Sequence, residues 1–326
     1  MNPELVENFR RLLRAAKGAK LVVAGHMRPD GDCVGSAFAL AEILQNTGAD
    51  VVCVNQNPVP HLYENIAAAQ FESAAEFADT SRKVVIVDCS DLPRVNAEFS
   101  EKFADVFACI DHHASGRSAA EIKIVDVCAG ATAEIIALLA RDAGVKISVR
   151  AATLLYLGIA TDTRQWTTSS TRVESFEAAE FLVKCGVDAN YVAQQLYQRE
   201  RFGKMKLLAQ YLQSLQMYLR GRVCFGFIPR GTFEKTDSCK EDTDGLVDFA
   251  RSIDGVEIAA TLEELSDGSI KGSLRGRSPE LQVNKIAETF GGGGHLAAAG
   301  FTAKNETFNS IIPKLLELCE KSLSRK

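Results

Sequence analysis

Residues Lys20–Asp32 read Lys-Leu-Val-Val-Ala-Gly-His-Met-Arg-Pro-Asp-Gly-Asp, a short apolar run that breaks at once into a histidine and two acids around a proline–glycine turn. The apolar part is continuous rather than alternating, and rich in β-branched residues. That is how a strand buried on both faces of a parallel sheet reads. Four more runs of the same kind follow at Asp50–Val54, Lys83–Val87, Val106–Ile110 and Ile122–Val125. Helical stretches lie between them, for example Val34–Thr47, with Gly48 in the position of a C-cap. Strand and helix in alternation predict an α/β fold built on a doubly wound, mainly parallel sheet.

Beyond about Ala131 the pattern turns helical. Ala131–Asp142, Val149–Ile159, Thr171–Lys184 and Tyr191–Leu215 carry apolar residues at i, i+3, i+4 spacing. Strand signals return at Arg222–Ile228, Val256–Glu263 and Ser269–Leu274, followed by helices around Val283–Phe290 and Phe308–Ser322. This predicts a first domain over 1–186, a helical linker over 187–216 and a smaller α/β domain over 217–326.

The 326 residues are 46% hydrophobic and 24% charged, an ordinary soluble composition with room for two cores. The formal net charge of −5 argues against gripping long nucleic acid, but leaves room for a local basic site facing a short anion. No apolar run reaches membrane-spanning length, so no membrane partner is expected. The N-terminus reads as a polar helix rather than a secretory signal. Nine cysteines at irregular spacing, with no C-x-x-C pair, suggest reduced thiols in a cytoplasm, most of them small core residues.

The five histidines are few enough for their places to matter. His26 follows the first strand, with Asp30 and Asp32 close behind; Asp88 ends the third; Asp111-His112-His113 ends the fourth; Asp162 closes the helix Val149–Ile159. In open α/β sheets ligands bind outside the carboxyl ends of the strands. Singly, each residue has a plainer explanation: an Asp after a strand is a cap or turn residue, and a His-His pair is structural or exposed. Together they differ, because carboxylates gathered so tightly repel one another without a cation. Oxygen and imidazole donors with no thiolate motif favour Mn2+, with Mg2+ or Co2+ as alternatives. There are too many donors for one octahedral ion that leaves room for substrate. Two divalent ions about 3.5–4 Å apart would use them all.

His26–Ser36, Val84–Asp91, Cys109–His113 and Gly158–Thr163, in that order, resemble the four motifs of the DHH phosphoesterase family, with Asp111-His112-His113 as its namesake triplet. Phe290–Gly300 and the stretch around Arg275 resemble the family's associated substrate-binding domain. By layout the chain resembles the nano-RNase/pAp-phosphatase branch. The resemblance implies that His26, Asp30 and Asp88 hold one ion, and that Asp32, Asp88, His112 and Asp162 hold the other. It also implies that His113 faces the substrate phosphate while Asp111 orients a histidine. Arg164, where relatives commonly carry Gly, and Leu296, where many carry a basic residue, depart from the pattern without touching a ligand.

The glycines of Gly291–Gly294 on their own terminate a helix, yet four residues without Cβ can also turn N–H groups inward as an anion nest. With the resemblance, Arg275, Gly292, Gly293 and His295 are expected to recognise phosphate. Trp166 can either stack on a base or pack; Phe290 is expected in the core. The implied activity is hydrolysis of RNA of about two to five nucleotides to mononucleotides, and removal of the 3′-phosphate of pAp. Partners are then short RNA, dinucleotides and pAp, with the homodimer left open. A soluble phosphodiesterase of cyclic or linear dinucleotides is the main alternative. A RecJ-like exonuclease lacks its basic track here, a pyrophosphatase is opposed by Gly291–His295, and an inactive nucleotide-binding module is opposed by the full set of ligands.

Overall fold

The computed structural model describes residues 1–103, 105–113 and 118–324. The chain divides between Arg199 and Glu200 into two units. The first contains α1 (Pro3–Ala16), β1 (Lys20–Ala24), α2 (Gly31–Gln45), β2 (Asp50–Asn55), α3 (Glu64–Ala67), β3 (Glu72–Ser73), β4 (Lys83–Val87), α4 (Ala97–Lys102), β5 (Val106–Asp111) and β6 (Ile122–Val125). It closes with α5 (Thr132–Ala143), α6 (Val149–Asp162), α7 (Val173–Lys184) and α8 (Ala189–Tyr197).

The sheet runs β3-β2-β1-β4-β5-β6, and every pairing is parallel. Its central strands β1, β4 and β5 are buried on both faces, as their unbroken apolar runs require, while β3 is exposed and β6 alternates. Leu21, Val23, Val85, Val87 and Ile110 join one core with residues of α1, α2, α5 and α6. Val22, Ala24, Ile86 and Cys109 face a second core that contains Phe77, Phe99 and Phe103. The two long buried helices α2 and α6 cross at glycine. A Cβ on Gly35 would lie 2.2 Å from the Leu154 carbonyl oxygen, and one on Gly158 would lie 2.7 Å from the Asp32 carboxylate. Only glycine permits this approach, and it brings the start of α2 beside the end of α6.

The second unit contains α9 (Phe202–Ser214), β7 (Gln216–Tyr218), β8 (Val223–Ile228), α10 (Thr232–Thr236), α11 (Leu246–Ser252), β9 (Ile258–Glu264), β10 (Ile270–Gly276), α12 (Val283–Thr289), β11 (Gly293–His295), β12 (Ala298–Ala303) and α13 (Phe308–Leu323). Its sheet runs β11-β12-β10-β9-β8-β7, mixed because β8 and β9 pair in parallel while the rest are antiparallel.

The single helix expected over Tyr191–Leu215 is two. Between α8 and α9 lies Gln198-Arg-Glu-Arg201, which offers no apolar side chain to hold a helix against either core. The division between units falls there.

Candidate metal centre

Strand β1 has β2 on one side and β4 on the other, so the connections leave its carboxyl end in opposite directions. That opens a crevice at the topological switch point. His26 lies just beyond β1, Asp88 just beyond β4, and Asp111 is the last residue of β5 with His112 and His113 after it. Asp32 sits in the first turn of α2 and Asp162 is the last residue of α6.

Each imidazole is fixed from behind. His26 Nδ1–H donates to the Met27 carbonyl at 2.9 Å and His112 Nδ1–H to the Ala129 carbonyl at 3.1 Å, which leaves both Nε2 atoms facing the site. His113 Nδ1–H donates to Asp111 Oδ1 at 2.8 Å, and Ser90 Oγ–H donates to the other Asp111 oxygen. Both Nε2 atoms meet acids. His26 Nε2 is 3.2 Å from Asp88 Oδ2 and 3.8 Å from Asp30 Oδ1. His112 Nε2 is 3.3 Å from Asp162 Oδ2, 3.5 Å from Asp88 Oδ1 and 4.0 Å from Asp32 Oδ2. Asp88 thus presents one oxygen to each histidine, from a backbone held at φ 56°.

The charges confirm the crowding. Burial and the neighbouring Asp32 push the Asp88 carboxyl well above its ordinary range, and His26 does not outweigh them. Burial, then Asp32 and Asp30, raise Asp162 to about 8. Burial works to lower the pKa of His26, but Asp30 and Asp88 overcome it and raise it to about 10. Asp111 differs: burial pushes its carboxyl up, but the bonds from His113 and Ser90 hold it below the ordinary value. It is a carboxylate already satisfied by the protein, suited to orienting His113.

A divalent ion fits these donors. His112 Nε2 is buried and makes no hydrogen bond although three carboxylates surround it. Asp32, His112 and Asp162 offer ligand atoms within 4.8 Å of one another, as do Asp88, His112 and His113, and as do His26, Cys33 and Asp88. Asp30 joins none of these three sets. Its Oδ1 caps α2, accepting from the N–H groups of Asp32 at 3.1 Å and Cys33 at 3.0 Å. Cys33, expected only as core, stands in its place. Asp88 is 1% exposed, not turned to solvent as a strand end suggests.

Several contributors were not evident from the sequence. The N–H groups of Thr132 and Ala133 donate to the two oxygens of Asp32 at 2.6 and 2.9 Å, and Thr132 Oγ1–H donates to Asp88 Oδ1 at 3.1 Å. The one signal was a threonine at a helix start that does not cap it, since the N-cap is Ala131. After Asp162 the chain makes a left-handed turn through Arg164, Gln165 and Trp166, with φ of 44°, 57° and 59°. Trp166 packs beside Tyr156 and Phe176 and donates from Nε1 to the Ser175 carbonyl at 3.3 Å, a packing role rather than an open stacking platform.

In the second unit, Arg275 on β10 and His295 on β11 both pair with Ala298 of β12, so the register sets them on one face of the sheet, two strands apart. His295 is exposed. The glycine run is part helix end and part strand. The N–H groups of Gly291 and Gly292 return to the carbonyls of Glu288 and Ala287, so Gly292 offers no free N–H to an anion, and Gly293 begins β11. Phe290 stacks on Phe301 at the edge of the core, as expected.

Acids and imidazoles of four motifs thus gather at the carboxyl edge of a parallel sheet. Residues 20–159 match the DHH family N-terminal domain and residues 223–323 match the DHHA1 domain. The chain belongs to the DHH family of phosphoesterases. Among its relatives is the bifunctional oligoribonuclease and PAP phosphatase NrnA of Thermus thermophilus, 27% identical over 96% of this chain and 93% of that protein. Another is the probable bifunctional oligoribonuclease and PAP phosphatase NrnA of Streptococcus mutans, 28% identical over 95% of this chain and 99% of the relative. An exopolyphosphatase-related protein from Bacteroides fragilis shares the fold, with a TM-score of 0.82 at 22% identity over 98% of this chain and 96% of that one.

Proposed function

We propose that this chain is a two-metal phosphoesterase that hydrolyses short oligoribonucleotides to mononucleotides and removes the 3′-phosphate of pAp. The activity follows from the family and from relatives so named that match almost end to end. The observation that best supports a metal centre is the buried, unbonded Nε2 of His112 among three carboxylates. On this proposal His26, Asp88 and either Asp30 or Cys33 hold one ion, while Asp32, Asp88, His112 and Asp162 hold the other. Divalent ions in such a centre supply Lewis acidity toward phosphoryl oxygens and a water-derived nucleophile at neutral pH. The carboxylate and imidazole donors suit Mn2+ first.

The protein's own groups do the rest. Asp111 accepts the Nδ1 proton of His113 and fixes that ring, whose Nε2–H donates to a phosphate oxygen when the ring is an imidazolium. Arg275 and His295, on one sheet face, serve as phosphate-binding side chains of the second unit. The nine cysteines are all free, which suits a reducing cytoplasm. No helix among the described residues is long and apolar enough to cross a membrane.

The test is a length series of 5′-phosphorylated RNA from two to 24 nucleotides, with pAp alongside, at fixed Mn2+ and salt. With a net charge of −5, a continuous basic track for long chains is not expected. We expect kcat/KM to peak at about two to five nucleotides, to fall with length, and to be measurable for pAp. Efficiency that holds or rises toward 24 nucleotides would favour a processive exonuclease instead.

A further inference from the structure

The segment Ala129–Ala133, where the chain enters α5, touches three of the proposed ligands at once. Its Ala129 carbonyl takes the Nδ1 proton of His112 at 3.1 Å. Its Thr132 and Ala133 N–H groups hold both oxygens of Asp32, and the Thr132 hydroxyl donates to Asp88 at 3.1 Å. The oxygen it touches is Oδ1, which faces His112 at 3.5 Å. Asp88 Oδ2, which faces His26 at 3.2 Å, is untouched by this segment. All three contacts therefore serve the same half of the centre.

The segment is itself pinned. Glu134 is fully buried, and its Oε1 accepts from Arg172 Nε at 2.7 Å while its Oε2 accepts from Ser175 Oγ at 2.5 Å and from the Gly130 N–H at 3.1 Å. Arg172 Nη2 also reaches Asp126 Oδ2 at 2.6 Å, and the Asp126 N–H donates to the Asp111 carbonyl at 3.2 Å. A buried carboxylate with three polar donors around it has little freedom to shift. The segment it anchors has correspondingly little.

We propose that Thr132 is a positioning residue for one of the two ion sites only: its hydroxyl occupies one lone pair of Asp88 Oδ1 and aims the other at the site formed with Asp32, His112 and Asp162, while the Glu134–Arg172 pair keeps the segment in register. This rests on the two-metal centre proposed above. The hydroxyl acts through the Asp88 carboxylate and touches no substrate. Oriented carboxylates bind metal more tightly than free ones, and loss of an outer partner commonly weakens a site about 10–100-fold.

The experiment measures Mn2+ binding directly, by the electron paramagnetic resonance of unbound Mn2+, on the intact chain. Parent, Thr132→Val, Thr132→Ser and Glu134→Gln proteins are titrated, with a melting curve for each. The valine is nearly isosteric but cannot donate; the serine restores the donor. Two sites are expected in the parent. Thr132→Val should weaken one about 10–100-fold and leave the other unchanged. Thr132→Ser should return it to the parent value, and Glu134→Gln should weaken the same site alone. Should the parent bind fewer than two ions, the centre and the proposal fall together. Should the parent bind two, but Thr132→Val weaken both equally or neither, or Thr132→Ser fail to restore the weakened site, the proposal fails while the centre stands. If Thr132→Val melts well below the parent, the serine comparison still decides, because that variant keeps the hydroxyl and its bond.

Discussion

Replacing Asp88 by asparagine should destroy activity and stabilise the metal-free protein. Asp88 is 1% exposed and shares its surroundings with Asp32. His112 Nε2 stands 3.5 Å from the first and 4.0 Å from the second, which limits how far apart the two carboxylates can be. Two unit charges about 7 Å apart at an effective dielectric of about 20 repel by about 2 kcal/mol. Burial adds to the penalty, and the raised carboxyl shows that His26 does not repay it. Asparagine removes the charge, keeps an acceptor for the Thr132 hydroxyl, and tolerates the positive φ of this position. A gain of about 1–2 kcal/mol raises the melting temperature of a domain of about 200 residues by roughly 3–6 °C. With metal the effect reverses, because the group that joins both proposed sites is neutral. Turnover should fall about a thousandfold or more. The assay pairs melting curves on chelator-stripped protein with kcat/KM on a 5′-phosphorylated dinucleotide in Mn2+. If Asp88→Asn melts below the parent without metal, the electrostatic account is wrong. If it turns over at a tenth of the parent rate or better, the bridging role is wrong.

Two further outcomes are expected. Asp162 and His26 both hold their protons more tightly folded than unfolded, with Asp162 raised to about 8 and His26 to about 10. The contribution of Asp162 falls as pH rises from its unfolded value toward 8, and that of His26 is full below about 6.5 and lost as pH rises through 10. Metal-free protein should therefore melt lower at about pH 9 than at about pH 6, and added Mn2+ should raise the melting temperature most at the alkaline end; a melting temperature that climbs with pH before metal is added would contradict both assignments. Arg275→Ala and His295→Ala should each raise KM for phosphorylated dinucleotides about 10–100-fold with Mn2+ stoichiometry unchanged, and loss of bound metal in either variant would mean that the second unit has been misassigned.

What the sequence revealed follows from where side chains carry the information. The central strands β1, β4 and β5 are legible because burial on both faces demands unbroken apolar runs. Their ends are legible because His26, Asp88 and Asp111-His112-His113 interrupt those runs abruptly. The Ala129–Ala133 segment was hidden because most of what it offers is backbone N–H and carbonyl, which any residue has. Strand β12 was hidden by composition: Ala-Ala-Gly-Phe-Thr-Ala has weak strand preference and pairs because glycines on β11 let the backbones approach, a Cβ on Gly294 lying 2.5 Å from the Ala298 carbonyl oxygen. The start of α2 at Gly31, three residues before the apolar pattern, is set by the Asp30 cap rather than by hydrophobic spacing.

The glycine crossing of α2 and α6 has a consequence for how the protein is made. The donors run from His26 near one end of the first unit to Asp162, and the last of them arrives only when α6 has seated against Gly35. While a ribosome is still extending the chain, β1, β4 and β5 can all have emerged with their histidines and acids, yet the constellation around His112 lacks its fourth wall. On the proposed ligand set, ion capture is thereby tied to completion of a helix that itself carries one donor. The second unit, synthesised afterwards, supplies none of these donors. On that proposal an unfinished chain offers only scattered carboxylates to the metals of the cell, and the finished first unit offers a trap.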